Sequence, residues 1–218
     1  MLIYGRNKQM NKMHTKKIVT AGRKISEASK VMIMIHGRGA SAEDILSLAS
    51  YLPVKDFALI APQASGGTWY PYSFMAPPAQ NEPYLSSALS VIKEITADVI
   101  AQGILPENIY FLGFSQGACL TLEFVTRNAQ KYGGVVAFTG GLIGDKIYQE
   151  NYTGDFGGTP VFIGTSNPDP HVPVDRVLDT EKVLQQMHAA ITVKVYPNMG
   201  HTVSGDEIEQ ATKLIFKN

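Results

Sequence analysis

The chain has 218 residues, 44% hydrophobic and 17% charged, and its 19 basic and 19 acidic side chains cancel to zero net charge. That size suits one α/β domain with a substantial core. Zero net charge gives no electrostatic reason to bind nucleic acid or an anionic membrane surface. No apolar run approaches the roughly 18 residues that span a bilayer. A single cysteine, Cys119, excludes an internal disulfide and fits a reducing, cytoplasmic setting.

Residues 1–14 read as a polar, flexible tail that lacks the apolar stretch of a secretory signal. Met10 and Met13 are further candidate translation starts besides Met1. Residues 15–218 read as a single domain. From Lys17 onward, short β-branched runs alternate with helix-length amphipathic runs. The predicted strands cover 17–20, 31–35, 57–61, 109–113, 135–139, 161–164 and 191–196. Most are continuous apolar runs, the pattern of strands buried on both faces.

The predicted helices are signalled by their caps and stripes. Ser41 and Asp44 form an approximate capping box before Ile45, Leu48, Ala49 and Leu52, and Pro53 stops that helix. Leu85, Ala88, Leu89, Ile92, Ile95 and Val99 line a second, which Gly103 ends. A third runs from 116 to about 131, a fourth from 174 to 188, and a fifth from 206 to the C-terminus. Such alternation predicts a mostly parallel sheet of about seven strands with helices on both faces. The one long irregular segment, 63–83, contains the sole tryptophan, Trp69. A loop of that length belongs at the carboxyl ends of the strands, where ligands bind.

Gly113-Phe114-Ser115-Gln116-Gly117-Ala118 follows a predicted strand and precedes a predicted helix. Strand, Gly-x-Ser-x-Gly and helix in that order form a nucleophile elbow, which presents the Ser115 hydroxyl and the next N–H, that of Gln116. Such a serine needs a base and an orienting acid, in the order serine, acid, histidine. His14 falls in the tail, His36 precedes the serine and His188 lies on a helix among polar residues. His201, in the loop after the last strand, is the predicted base. Asp169, between two prolines in the loop after the sixth strand, is the predicted acid, with His171 shaping its loop. The Arg38 N–H, in His36-Gly37-Arg38-Gly39, would complete an oxyanion site with that of Gln116. His36, Trp69, Tyr70 and Phe74 are candidates for the substrate pocket, with buried loop anchors as the alternative for the aromatics.

Residues 37–42 also match the Gly-x-Gly-x-x-Ala fingerprint of a dinucleotide-binding turn. That alternative needs an acidic residue ending the next strand. The chain has Pro62-Gln63-Ala64 there. Cys119 reads as core packing. No cluster has metal-ligand spacing, so no metal is expected.

His36-Gly37-Arg38-Gly39, Trp69-Tyr70, the elbow, Asp169-Pro170-His171-Val172-Pro173 and Gly200-His201 occur together and in order over residues 17–218. In this the chain resembles the phospholipase/carboxylesterase family of α/β-hydrolases, which includes bacterial carboxylesterases and acyl-protein thioesterases. The resemblance implies an α/β-hydrolase fold without a separate cap domain. It implies a Ser115–Asp169–His201 triad with Arg38 and Gln116 at the oxyanion. It also implies hydrolysis of small esters or thioesters with short to medium acyl chains, no cofactor, and a monomer or homodimer without stable membrane association. Arg38 stands where acyl-protein thioesterases carry an apolar residue, and Pro71 where they carry an acidic one. Trp69 to Phe74 is more similar to a bacterial subgroup of esterase-like hydrolases. Arg38 is therefore a candidate for favouring substrates with a carboxylate near the ester. A catalytically silent α/β-hydrolase that binds ligands or proteins is the alternative from another class, and a dienelactone hydrolase would require a cysteine in place of Ser115.

Overall fold

Seven strands form one sheet in the computed structural model, which describes residues 13–216. They are β1 (Ile18–Gly22), β2 (Lys30–Ile35), β3 (Phe57–Pro62), β4 (Ile109–Phe114), β5 (Gly134–Phe138), β6 (Pro160–Asn167) and β7 (Ala190–Pro197). Their order across the sheet is β1-β3-β2-β4-β5-β6-β7. Only β1 runs antiparallel, against β3, and every other pair is parallel. Residues 1–12 of the expected tail over 1–14 lie outside the described residues.

The helices are α1 (Ala42–Ser47), α2 (Pro78–Asn81), α3 (Tyr84–Ala101), α4 (Gln116–Arg127), α5 (Val174–Gln186) and α6 (Gly205–Ile215). Alternation along the central strands divides the core into two layers. Val31, Ile33 and Ile35 of β2 join buried residues of α3, α4 and α5. Met32 and Met34, on the opposite face, join Ala42 and Ile45 of α1 and Ala211 and Ile215 of α6. Both faces are therefore covered, which is why these strands read as unbroken apolar runs. Each fully buried side chain of this kind contributes about 1.5–3 kcal/mol.

Helix ends follow local chemistry. Ser41 and Asp44 form the full capping box that starts α1. Leu48–Tyr51 then tightens into a 3₁₀ turn instead of continuing α1 to Pro53. The third predicted helix stops at Arg127 and not near 131. There the Asn128 side-chain amide donates to the Phe124 carbonyl at 2.8 Å, and Ala129 leaves the helix to bridge Gly154. The fourth stops at Gln186, and His188 adopts a positive φ of 61° that ends the helical path.

The strand order places β2 and β4 side by side, with the chain leaving them toward opposite sides of the sheet. That point is a topological switch, and the crevice outside the carboxyl ends of its strands is where such sheets hold ligands. The turns after β2, β4, β6 and β7 all reach this edge.

Candidate active site

Ser115 sits between β4 and α4 with φ 55° and ψ −121°, outside the regions a non-glycine residue prefers. Two glycines make the turn possible. A Cβ at Gly113 would overlap the Gly117 carbonyl, and one at Gly117 would overlap the carbonyls of Ile35 and His36. Their absence lets α4 start directly against the end of β2. The Ser115 N–H donates to the Phe138 carbonyl at 2.9 Å, which ties the turn to β5.

His201 and Asp169 come to the same point from the two edge loops. Ser115 Oγ lies 2.7 Å from His201 Nε2, and His201 Nδ1 lies 2.8 Å from Asp169 Oδ2. A carboxylate only accepts, so Nδ1 carries the proton and Nε2 is left to accept from the serine hydroxyl. The Asp169 side chain is fully buried. Burial alone would raise its pKa, but the N–H groups of His171 (2.8 Å) and Val172 (2.9 Å) both donate to Oδ1, and the His201 ring adds to them. The balance holds this carboxyl below the usual range. His171 stands edge-on to the His201 ring, with centroids 4.8 Å apart, and Phe114 packs on the same ring at 5.3 Å.

Ser166, which sequence reasoning missed, joins the two loops. Its Oγ accepts from the Gly200 N–H at 3.0 Å and donates to the Pro168 carbonyl at 3.1 Å. Gly200 has φ 82°, a conformation glycine adopts without strain. The signal was the polar run Thr165-Ser166-Asn167 closing a strand that is otherwise apolar.

Arg38 and Gln116 flank Ser115, and among the described residues neither backbone N–H has a protein acceptor. A cavity of about 450 Å³ opens beside them, walled by Arg38, Tyr70, Tyr72, Phe74, Phe114 and Val172. Of the four pocket candidates, Tyr70 and Phe74 line it. Trp69 and His36 do not, and this corrects the expectation for both. Trp69 is fully buried beneath the loop, its indole N–H donating to the His36 carbonyl at 2.8 Å. His36 is also buried, with Nδ1 donating to the Gly37 carbonyl and Nε2 accepting from the Ala64 N–H.

His14, assigned from sequence to the polar tail, is instead fully buried. Its Nε2 donates to the Trp69 carbonyl at 2.8 Å, and its Nδ1 accepts from the Ser65 N–H at 3.2 Å. Both imidazoles are thus neutral supports of the 63–72 loop, their rings 5.5 Å (His14) and 4.9 Å (His36) from the Trp69 indole. Burial lowers the pKa of both below 6.5, against weaker raising effects from their carbonyl partners. The native state then binds fewer protons than the unfolded chain as pH falls through 6.5 toward the folded values. Stability is therefore full above pH 6.5 and declines below it. The urea midpoint should rise between about pH 5 and pH 7, and a midpoint that stayed flat or fell over that interval would contradict this.

The glycine-rich turn at 37–42 lies against the elbow. Gln63, at the position where a nucleotide fold needs an acid, uses its side-chain oxygen to accept from the Ala42 N–H at 2.9 Å. Burial pushes the Cys119 thiol up to about 12, so it is protonated at neutral pH. Among the described residues no group of three or more His, Cys, Asp or Glu side chains could hold a metal ion. No described helix is long and apolar enough to cross a membrane.

Residues 15–218 match the family model for phospholipase/carboxylesterase. The chain belongs to that family. Acyl-protein thioesterase 1 of Saccharomyces cerevisiae is 30% identical over 217 residues, covering 89% of this chain and 95% of that protein. The Kluyveromyces lactis protein of the same name is 31% identical, covering 91% and 96%. Among solved structures, a phospholipase/carboxylesterase from Dyadobacter fermentans shares 55% identity with a TM-score of 0.93, covering 94% of this chain and 98% of that one. This phospholipase/carboxylesterase family member has the α/β-hydrolase fold and is an esterase-type hydrolase.

Proposed function

We propose that the enzyme is a serine hydrolase that cleaves esters or thioesters of short to medium acyl chains through an acyl-enzyme intermediate. His201 Nε2 takes the Ser115 proton as Oγ attacks the acyl carbonyl carbon. Asp169 holds the imidazole in the tautomer that can accept, and it stabilises the imidazolium that forms. The N–H groups of Arg38 and Gln116 bind the oxyanion of the tetrahedral intermediate, each such donor being worth about 2.7–4 kcal/mol. The intermediate collapses as His201 returns the proton to the leaving alcohol or thiol. Water, deprotonated by His201, then attacks the acyl-enzyme and releases the carboxylic acid and free Ser115.

The observation that carries this reading is the unbroken chain from Ser115 Oγ through both His201 nitrogens to Asp169 Oδ2, at 2.7 and 2.8 Å. The cavity of about 450 Å³ favours modest acyl groups, since it lies toward the small end of ligand sites.

An acyl-enzyme makes a prediction that direct attack by water does not. Phenyl and p-nitrophenyl esters of one acyl group pass through the same intermediate. In aqueous methanol they should give the same ratio of methyl ester to free acid, across a series from acetyl to octanoyl. A ratio that depends on the leaving group would overturn the proposal.

A further inference from the structure

We infer that Arg38 is a positioning residue which, together with Gln116, fastens the pocket wall to the oxyanion site, and that the site consequently takes uncharged acyl groups. The inference rests on the proposed serine hydrolase reading for the role of the two backbone N–H groups. Each of these residues faces two ways. Gln116 directly follows Ser115, and Arg38 follows Gly37, which packs against Ser115, while both side chains reach the loop that walls the cavity.

Arg38 Nη1 donates to the Pro71 carbonyl at 3.0 Å. Its Nη2 donates to the carbonyls of Tyr70 at 2.9 Å and Tyr72 at 2.8 Å. Three consecutive carbonyls are thus gathered by one guanidinium. The Gln116 amide takes the adjoining groups. Its Nε2 donates to the Tyr70 carbonyl at 2.9 Å, and its Oε1 accepts from the Trp69 N–H at 2.9 Å and the Thr68 hydroxyl at 3.2 Å. The Tyr70 carbonyl accepts from both clamps. Asn81 holds the far side, accepting from the Tyr72 N–H and donating to the Ser73 carbonyl. A shift of the wall is therefore passed to the two residues whose N–H groups face the reacting carbonyl.

The same bonds argue against Arg38 as a receptor for a substrate carboxylate. A guanidinium grips a carboxylate through two parallel N–H bonds. Both available forks, Nη1 with Nη2 and Nε with Nη2, include Nη2. The two hydrogens of Nη2 are already directed to carbonyls. Lysine could not replace this arrangement, because an ammonium is a point charge without the planar fork.

Trp69 reports on the wall directly. It is the sole tryptophan, is fully buried, and its backbone N–H donates to Gln116 Oε1. The test uses the full chain with Arg38→Ala and Arg38→Lys, both of which leave the backbone N–H in place. Steady-state constants are measured with p-nitrophenyl butyrate and with mono-p-nitrophenyl glutarate, and acrylamide quenching of Trp69 is measured alongside. We expect kcat to fall by about 10–100-fold for both esters by the same factor, since misplacement near 1 Å costs about that much. KM should change little, lysine should not restore the rate, and Trp69 should become more readily quenched in both variants. A loss confined to KM for the anionic ester, or unchanged kinetics and quenching, would overturn the inference. Should the wild-type chain hydrolyse neither ester, the serine hydrolase reading fails, while the quenching comparison still decides whether Arg38 holds the wall.

Discussion

With Ser115 replaced by alanine, kcat is expected to fall on the order of a million-fold, about 8 kcal/mol of transition-state stabilisation. The loss is that large because, among the described residues, no other hydroxyl or thiol lining the cavity is bonded to a histidine. Cys119 follows one turn later on α4, but it is buried and its thiol is held protonated. His201→Ala should cost about as much, since Oγ bonded to no base is an ordinary alcohol. The two losses should not multiply. Ser115 and His201 act as one unit through their 2.7 Å contact, so the double variant should be no slower than either single one. Single-turnover assays of the three variants on one ester check this. Multiplying losses would show that the two residues contribute separately.

Asp169→Asn should lower kcat about ten-thousand-fold while leaving the fold intact. The direction of the new amide is set by its surroundings. Oδ1 already accepts from the N–H groups of His171 and Val172. The amide oxygen must therefore stay there, and the NH₂ must occupy the Oδ2 position facing His201 Nδ1. A donor at that point makes Nδ1 the acceptor and moves the ring proton to Nε2. The imidazole would then present a proton to Ser115 and could not accept one. Turnover on p-nitrophenyl butyrate and thermal unfolding check the two halves of this expectation. A kcat within about tenfold of wild type would contradict the orienting role.

The architecture was legible wherever burial on both faces left unbroken apolar runs, as in Val31 to Ile35 and Ile109 to Leu112. The antiparallel direction of β1 was not, because exposed residues such as Ile18 and Thr20 carry no pattern that distinguishes the two pairings. That Ser115, Asp169 and His201 would meet at one point was legible because the elbow pattern calls for particular partners in a particular order. The support of the pocket wall was hidden for a different reason. His14 and Ser65, Arg38 and Tyr72, and Gln116 and Trp69 are 51, 34 and 47 positions apart, and each pair joins a side chain to a backbone group. A backbone group is present at every residue, so nothing in the residue types marks the contact. Pocket assignment of Trp69 and His36 failed on the same ground, since aromatic character alone does not say whether a ring lines a cavity or lies beneath it.

The central claim is that Ser115 is the activated nucleophile of a serine hydrolase. Incubation with a fluorophosphonate, followed by mass measurement of the intact chain and sequencing of the modified peptide, tests it most directly. One phosphonyl group should be found per chain, on Ser115, and none on the Ser115→Ala or His201→Ala variants. An unmodified wild-type chain, or a label carried equally by the Ser115→Ala variant, would contradict the account.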